Sequence, residues 1–412
     1  MTQMFQMTQM FQMAENLSSQ PETSEIQARI QALHERACAQ SADWDALFIV
    51  DKVNQYYFTG TLQDGVFVLL RDGSYAYFVR RSSERAHLEA LIDNVLPMNS
   101  YRDIRAKLGD SIHNIFLETE VLTYGMLQRL KKHFEITQII PAGPLISALR
   151  AVKSPYELAL MEESGRQHCY LLETIVPSLM AEGKSEVEMV AEMYAEMLKL
   201  GFQGVSRFSM FQVEMVAGQI GFGENSLYPT SFDGPGGMKG MCPAVPIVGD
   251  RQRRLKSGDL VFVDVGYGVY GYHSDRTQVY MFGAQPPEWL LDIHRQCQQV
   301  SAQVVGLLRP GNVAAAIYSQ VMDGLEPAFL ENFMGYGART VGFLGHGLGL
   351  QIDEPPVIAK GCDMVLEANM VLAVEPKKGV GGIGMVGVED TYVVTADGGR
   401  CITGGEKEII VV

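Results

Sequence analysis

Residues 261–282 read VFVDVGYGVYGYHSDRTQVYMF. Strand-forming residues flank a glycine-rich middle, Gly266 to Gly271, so the segment reads as a β-hairpin. With the turn centred between Val269 and Tyr270, Asp264 faces Asp275 across the ribbon. Facing side chains have Cβ atoms about 5 Å apart, where like charges destabilise a sheet unless something cationic lies between them. Residues 372–394, LAVEPKKGVGGIGMVGVEDTYVV, repeat the construction about Gly382 and oppose Glu375 to Glu389. One acidic pair on a hairpin is ordinarily solvated surface. Two pairs set among Phe262, Val263, Leu372, Ala373, Val374, Val386 and Val388 imply a bound cation instead.

His346 lies in GFLGHGLGL (342–350), between glycines that let the backbone approach another group closely. A lone histidine in an apolar run is usually a hydrogen-bonded core residue; beside four carboxylates it becomes the expected nitrogen ligand. Carboxylates with one imidazole suit Mn, Co, Fe or Zn, and four carboxylates can bridge two ions about 3.5–4 Å apart.

Working outward, 412 residues suit two domains rather than one core, and 47% hydrophobic with 20% charged residues is a globular composition. Ser154-Pro155-Tyr156-Glu157 combines an N-cap serine, a proline at the first helical position and a capping-box glutamate, so a new helix and a new domain begin there. A second capped helix runs from Ser185 to Leu200 and stops at Gly201. Helices are expected at 287–308 and 313–333. Residues 24–150 alternate helix and strand, with a hairpin turn at Asp72-Gly73, and cluster no titratable groups; they read as a substrate-shaping or oligomerising domain. Residues 1–23 read as a tail in which MTQMFQ occurs twice, at 1–6 and 7–12. The Gly- and Pro-rich stretch 221–247 reads as a long functional loop in which Tyr228, Phe232 and Asp233 line a substrate pocket or simply pack.

With 33 Lys+Arg against 48 Asp+Glu the formal charge is -15, which repels phosphate backbones and anionic lipid, so neither nucleic acid nor membrane is an expected partner. The six scattered cysteines show no metal-ligand spacing and read as thiols in a reducing compartment, and the first basic residue is Arg29, so no signal peptide is read. A cytoplasmic location is expected.

The order Asp264, Asp275, His346, Glu375, Glu389, in the contexts DVG, HSDRT, GHGLGL, VEP and VED, resembles the pita-bread metallopeptidases, among them aminopeptidase P, prolidase and methionine aminopeptidase, with creatinase as a metal-free relative. LRAVKSPYELALM (149–161) resembles the linker into the first catalytic helix of the aminopeptidase P and prolidase branch. The resemblance implies an α+β protein: a pita-bread catalytic domain at 151–412 behind a smaller α/β creatinase-like domain at 24–150. It also implies a homodimer, two divalent ions (manganese first), and a metal-bridging hydroxide that attacks the scissile bond of a Xaa-Pro peptide. Glu375 would then both ligate metal and shuttle the proton.

The chain departs from the branch's pattern at three points. Where proline-specific enzymes carry a second histidine, seven residues after the ligand, this chain has Asp353, which either binds a substrate amino group or caps the turn before Pro355-Pro356. No histidine lies between His168 and His273, and Gly387 stands where the branch has an arginine. His273, beside Ser274-Asp275, could serve as a substitute acid or base, but strand alternation points it away from its neighbours, so it is read as supporting the ligands or as structural. These departures imply a changed substrate or a changed reaction. The alternatives are a small non-peptide substrate, as in creatinase or the lyases of this fold, or an inactive binding relative.

Overall fold

The computed structural model describes residues 17–213 and 215–412, so the duplicated MTQMFQ segment lies outside the described residues. Two compact units are present, Ser18–Arg150 and Ala151–Val412.

The first unit opens on helix Thr23–Gln40, whose buried Ile26, Ile30, Leu33 and Ala37 recur every three or four residues. Its strands are β1 (Ala46–Ile49), β2 (Gly65–Leu70), β3 (Tyr75–Val79), β4 (Val95–Pro97), β5 (Asn114–Leu117) and β6 (Gln138–Pro141). They form one sheet in the order β4-β3-β2-β1-β5-β6. The β2–β3 hairpin turns at Asp72-Gly73, with Gly73 at φ 86° and the Asp72 carboxylate accepting from the Ser74 N–H at 2.9 Å. Phe48, Val68, Phe78, Ile104, Ile115 and Leu117 fill the core on one face.

In the second unit both capping boxes close: Ser154 Oγ accepts from Glu157 N at 3.2 Å while the Glu157 carboxylate accepts from Ser154 N at 2.9 Å, and Ser185 with Glu188 repeats this. The second helix, Glu186–Leu200, ends at Gly201 in the left-handed region, φ 108°. Strands follow as β7 (Gly218–Phe222), β8 (Leu260–Val269), β9 (Tyr272–Met281), β10 (Gly335–Tyr336), β11 (Arg339–Thr340), β12 (Phe343–Gly347), β13 (Glu354–Ala359), β14 (Val371–Val374), β15 (Lys377–Val380), β16 (Gly384–Gly387), β17 (Asp390–Thr395), β18 (Gly398–Cys401) and β19 (Ile410–Val411). One sheet runs β19-β9-β8-β7 and another β13-β12-β14-β17-β18; β15 and β16 form a separate ribbon. Helix Glu288–Leu307 is continuous, but the helix expected at 313–333 is two, Ala314–Met322 and Pro327–Leu330, because Gly324 and Pro327 interrupt it.

The expected register of the first hairpin is corrected. Its turn is Tyr270-Gly271, at φ 47° and 100°, one residue later than the sequence reading. Gly266 therefore pairs with Asp275 and Asp264 with Thr277, so the aspartates are diagonal neighbours rather than opposite. The earlier turn would have forced β-branched Val269 to positive φ, which glycine at 271 avoids. In the second hairpin, pairs such as Val374↔Asp390 and Lys377↔Gly387 share one register centred on Gly382, which sets Glu375 opposite Glu389. Thr391 clasps the two sheets, its Oγ1 accepting from Asp275 N and donating to Asp275 O, each at 2.9 Å. Among the described residues no helix is long and apolar enough to cross a membrane.

Candidate metal centre

Five strands deliver the five sequence-predicted ligands to one place. Asp264 comes from β8 and Asp275 from β9; His346 comes from β12, Glu375 follows β14 and Glu389 precedes β17. Asp275, His346 and Glu389 each offer one ligand atom, all within 4.8 Å of one another, and Asp264, Glu375 and Glu389 do the same. His346 Nε2 lies 3.5 Å from Glu375 Oε1 and 4.0 Å from Asp275 Oδ2. Its Nδ1 is 3.1 Å from the Gly347 carbonyl, a contact that favours the tautomer with Nδ1 protonated and Nε2 free to ligate.

The sequence reading missed a sixth member. Lys377 is fully buried, and its Nζ donates to Asp264 Oδ2 at 2.9 Å, Glu375 Oε2 at 2.8 Å and Glu389 Oε2 at 2.6 Å. The cue was available in VEPKKG: alternation along an extended chain puts residues 375 and 377 on one face. Burial acts against the lysine charge, but Asp264, Glu375 and Glu389 outweigh it and hold the ammonium pKa well above its ordinary range. Asp264 is pushed up to about 6, by burial first and Glu389 next, with Lys377 opposing both. Burial, then Glu389 and Asp264, push Asp275 well above the usual carboxylate range.

These contacts decide what the donors fit. Asp275, His346 and Glu389 combine oxygen and imidazole nitrogen, and of the three only Glu389 touches the Lys377 ammonium, a set that suits a divalent transition ion. The trio Asp264, Glu375 and Glu389 already surrounds an ammonium and does not fit a second ion as it stands.

The cluster forms one wall of a cavity whose apolar lining includes Phe208, Met210, Phe232, Phe343 and Ile352. Phe232, Asp233 and Asp353 line it, whereas Tyr228 does not: it follows the short helical turn Gly223–Leu227 and is half exposed. Both Asp353 oxygens accept backbone N–H groups, from Ser209 and from Met210 at 3.0 Å, and burial raises its pKa. Asp353 is thus a loop anchor that also faces the cavity. His273 is buried with Nδ1 2.9 Å from the Gly349 carbonyl and Nε2 2.9 Å from Gln203, and burial depresses it to about 4. Both ring nitrogens are thus engaged within the fold.

Gln219 was also missed. It pairs across β7–β8 with Asp264, lines the cavity and is 1% exposed, yet neither amide atom has a hydrogen-bond partner among the described residues. A buried primary amide left unpaired in this way is free to bond a ligand.

Two ribbons of acidic residues around a cation, inside a pita-bread fold, define the class, and comparison with known proteins specifies it. Residues 159–396 match the model of metallopeptidase family M24, and residues 29–152 match the creatinase/prolidase N-terminal domain. The chain belongs to metallopeptidase family M24. It is 27% identical over 377 residues to a Xaa-Pro dipeptidase of Pyrococcus furiosus, covering 89% of this chain and 95% of that one. Its fold is similar to prolidase from Pyrococcus horikoshii OT3 (TM-score 0.76, 24% identity, 93% of this chain and 100% of that one). It is also similar to X-Pro aminopeptidase from Thermotoga maritima (TM-score 0.73, 20% identity, 92% and 99%). The expected α+β architecture and the metallopeptidase assignment both hold, and family membership implies divalent metal.

Proposed function

We propose that the C-terminal unit hydrolyses small proline-containing peptides, as a Xaa-Pro dipeptidase or aminopeptidase. The observation that carries this reading is the cluster of carboxylates and His346 facing a cavity with an apolar wall. The Xaa-Pro dipeptidase of Pyrococcus furiosus, matched over nearly its whole length, supports the substrate class.

Asp275, His346 and Glu389 would hold a divalent ion, with manganese the first choice for oxygen-rich donors, and Asp264 and Glu375 complete the ring of carboxylates. Such an ion, when bound, acts as a Lewis acid and lowers the pKa of water. The chain's own residues supply the rest. Glu375 is oriented by Lys377, whose ammonium donates to it at 2.8 Å, and takes the proton from the attacking water and returns it to the leaving amine. Gln219 Nε2 donates to the substrate carbonyl. Phe208, Phe232 and Ile352 receive the pyrrolidine ring and exclude water. The two-ion, hydroxide-bridged form implied by the resemblance needs the Asp264–Glu375–Glu389 position, which Lys377 fills.

A second reading, a small non-peptide amide or related molecule, is favoured by the lining itself: His346 is the sole histidine among the lining residues. Manganese-loaded protein is to be assayed against Xaa-Pro dipeptides, longer Xaa-Pro peptides and a set of small amides and amidines. Cleavage of Xaa-Pro bonds is expected. Cleavage confined to the non-peptide set moves the assignment to the second reading. We further take the enzyme to be a cytoplasmic homodimer; six free cysteines support the reducing compartment, and sedimentation analysis tests the dimer.

A further inference from the structure

We propose that Lys377 is a built-in cation that takes the place of one metal ion, so that the centre binds a single divalent ion through Asp275, His346 and Glu389. The geometry carries this. The Lys377 ammonium touches three carboxylates at 2.6–2.9 Å, the contacts a second ion would need, and it is fully buried, with no room in water to swing into. Asp264 faces Lys377, and the ammonium contacts every member of the Asp264, Glu375 and Glu389 trio but only Glu389 of the Asp275, His346 and Glu389 trio. Glu389 belongs to both groups and joins the built-in charge to the exchangeable one.

Charge balance agrees. Four carboxylates against one ammonium and one divalent ion leave a single negative charge on the centre. A second divalent ion would have to share oxygens with the ammonium and meet its repulsion at contact distance. Phe262, whose ring centroid lies 5.8 Å from Lys377 Nζ, closes the apolar side of the site and adds a further attraction for the buried cation.

This inference rests on the reading of a divalent-metal centre but concerns its stoichiometry, which is measured apart from any substrate. The test is the ion count per chain on full-length protein equilibrated with manganese, by elemental analysis and calorimetry, with the spin-resonance spectrum as a second readout. One ion per chain and the spectrum of an isolated ion are expected. Two ions per chain, or an exchange-coupled pair, would overturn the proposal, and so would no ion at all. Lys377→Gly opens the position and is expected to bind two ions, the second at least about 100-fold more tightly than wild type binds any second ion. A folded variant that still takes one ion would also overturn it. If the variant does not fold, the wild-type count still decides. Peptide cleavage with two ions bound would sink this inference alone; one ion bound without cleavage of any peptide would sink only the substrate reading.

Discussion

Glu118 in the N-terminal unit and Glu389 in the C-terminal unit are equally buried, each 2% exposed, and they are held by opposite means. Among the described residues Glu118 accepts from neutral donors alone: Val50 N at 2.5 Å, Asp51 N at 2.7 Å and Asn54 Nδ2 at 2.6 Å. Burial pushes its pKa up to about 7, with the Asp51 N–H bond opposing and the Asp51 charge adding to the rise. Glu389 instead meets the Lys377 ammonium at 2.6 Å. Neutral dipoles satisfy the lone pairs of a carboxylate without cancelling its charge, whereas a cation does both. The first arrangement is self-contained. The second gathers more acid than its one lysine can balance and is therefore poised to bind a further cation.

The comparison is broken most severely at Glu375. Glu375→Gln keeps the shape but removes the proton acceptor, and kcat on the best Xaa-Pro substrate is expected to fall about 10³-fold with the ion still bound. A loss under about tenfold, with metal content unchanged, would reassign the base. Next in size is Lys377→Met, which leaves three buried carboxylates without their partner. In metal-free protein it is expected to lower the unfolding free energy by about 3–5 kcal/mol, with partial recovery on adding manganese. Chemical denaturation with and without the ion measures this, and an unchanged midpoint in the metal-free state would show that the lysine is not the counter-charge.

Glu118 sharpens the same contrast through pH. Its folded pKa is raised from 4.5 to about 7, so its contribution to stability is fully present below about 4.5 and is lost as pH rises through about 7. The loss approaches about 3 kcal/mol at the upper end of that window. Glu118→Gln removes the titration, so the difference between wild type and variant in urea titrations at successive pH values isolates it. Trp44, fully buried in the same unit, reports the transition by fluorescence. A difference that does not vary with pH would mean that the carboxylate is ionised at no cost.

These effects also mark what the residues alone disclosed. Both capping boxes, the Gly382-centred ribbon and the gathering of Asp264, Asp275, His346, Glu375 and Glu389 were legible, because each depends on local spacing or on one symmetric turn. The first ribbon was misread by one residue because glycines are dense there, and the deciding fact, that Val269 resists positive φ, carries less weight in a sequence than in a backbone. Lys377 was hidden by its neighbour: a Lys-Lys pair before a glycine turn suggests solvated surface, and only Lys378, whose ammonium turns to the Phe329 carbonyl at 2.7 Å, comes near that description. Gln219 had no local cue. Its place beside Asp264 comes from pairing between strands separated by residues 223–259, which no periodicity announces.

Gln219 yields the smallest predicted effect and the most discriminating one. It lines the cavity with a polar side chain that neither a cation nor a backbone dipole satisfies, so it stands outside both strategies represented by Glu118 and Glu389. An unpaired buried amide costs about 1–3 kcal/mol, a cost the ligand-free protein bears until a substrate supplies the missing bond. Gln219→Met keeps the volume and removes both polar atoms. Tm of the ligand-free protein is therefore expected to rise by about 2–4 °C for each kcal/mol recovered. If the amide binds ground state and transition state alike, KM rises about tenfold while kcat changes little, since one lost hydrogen bond to substrate is worth about 1.4 kcal/mol. A fall in kcat at constant KM would instead assign the amide to the developing oxyanion. A drop in Tm with both constants unchanged would show that Gln219 is packing and that its orphaned atoms have no part in binding.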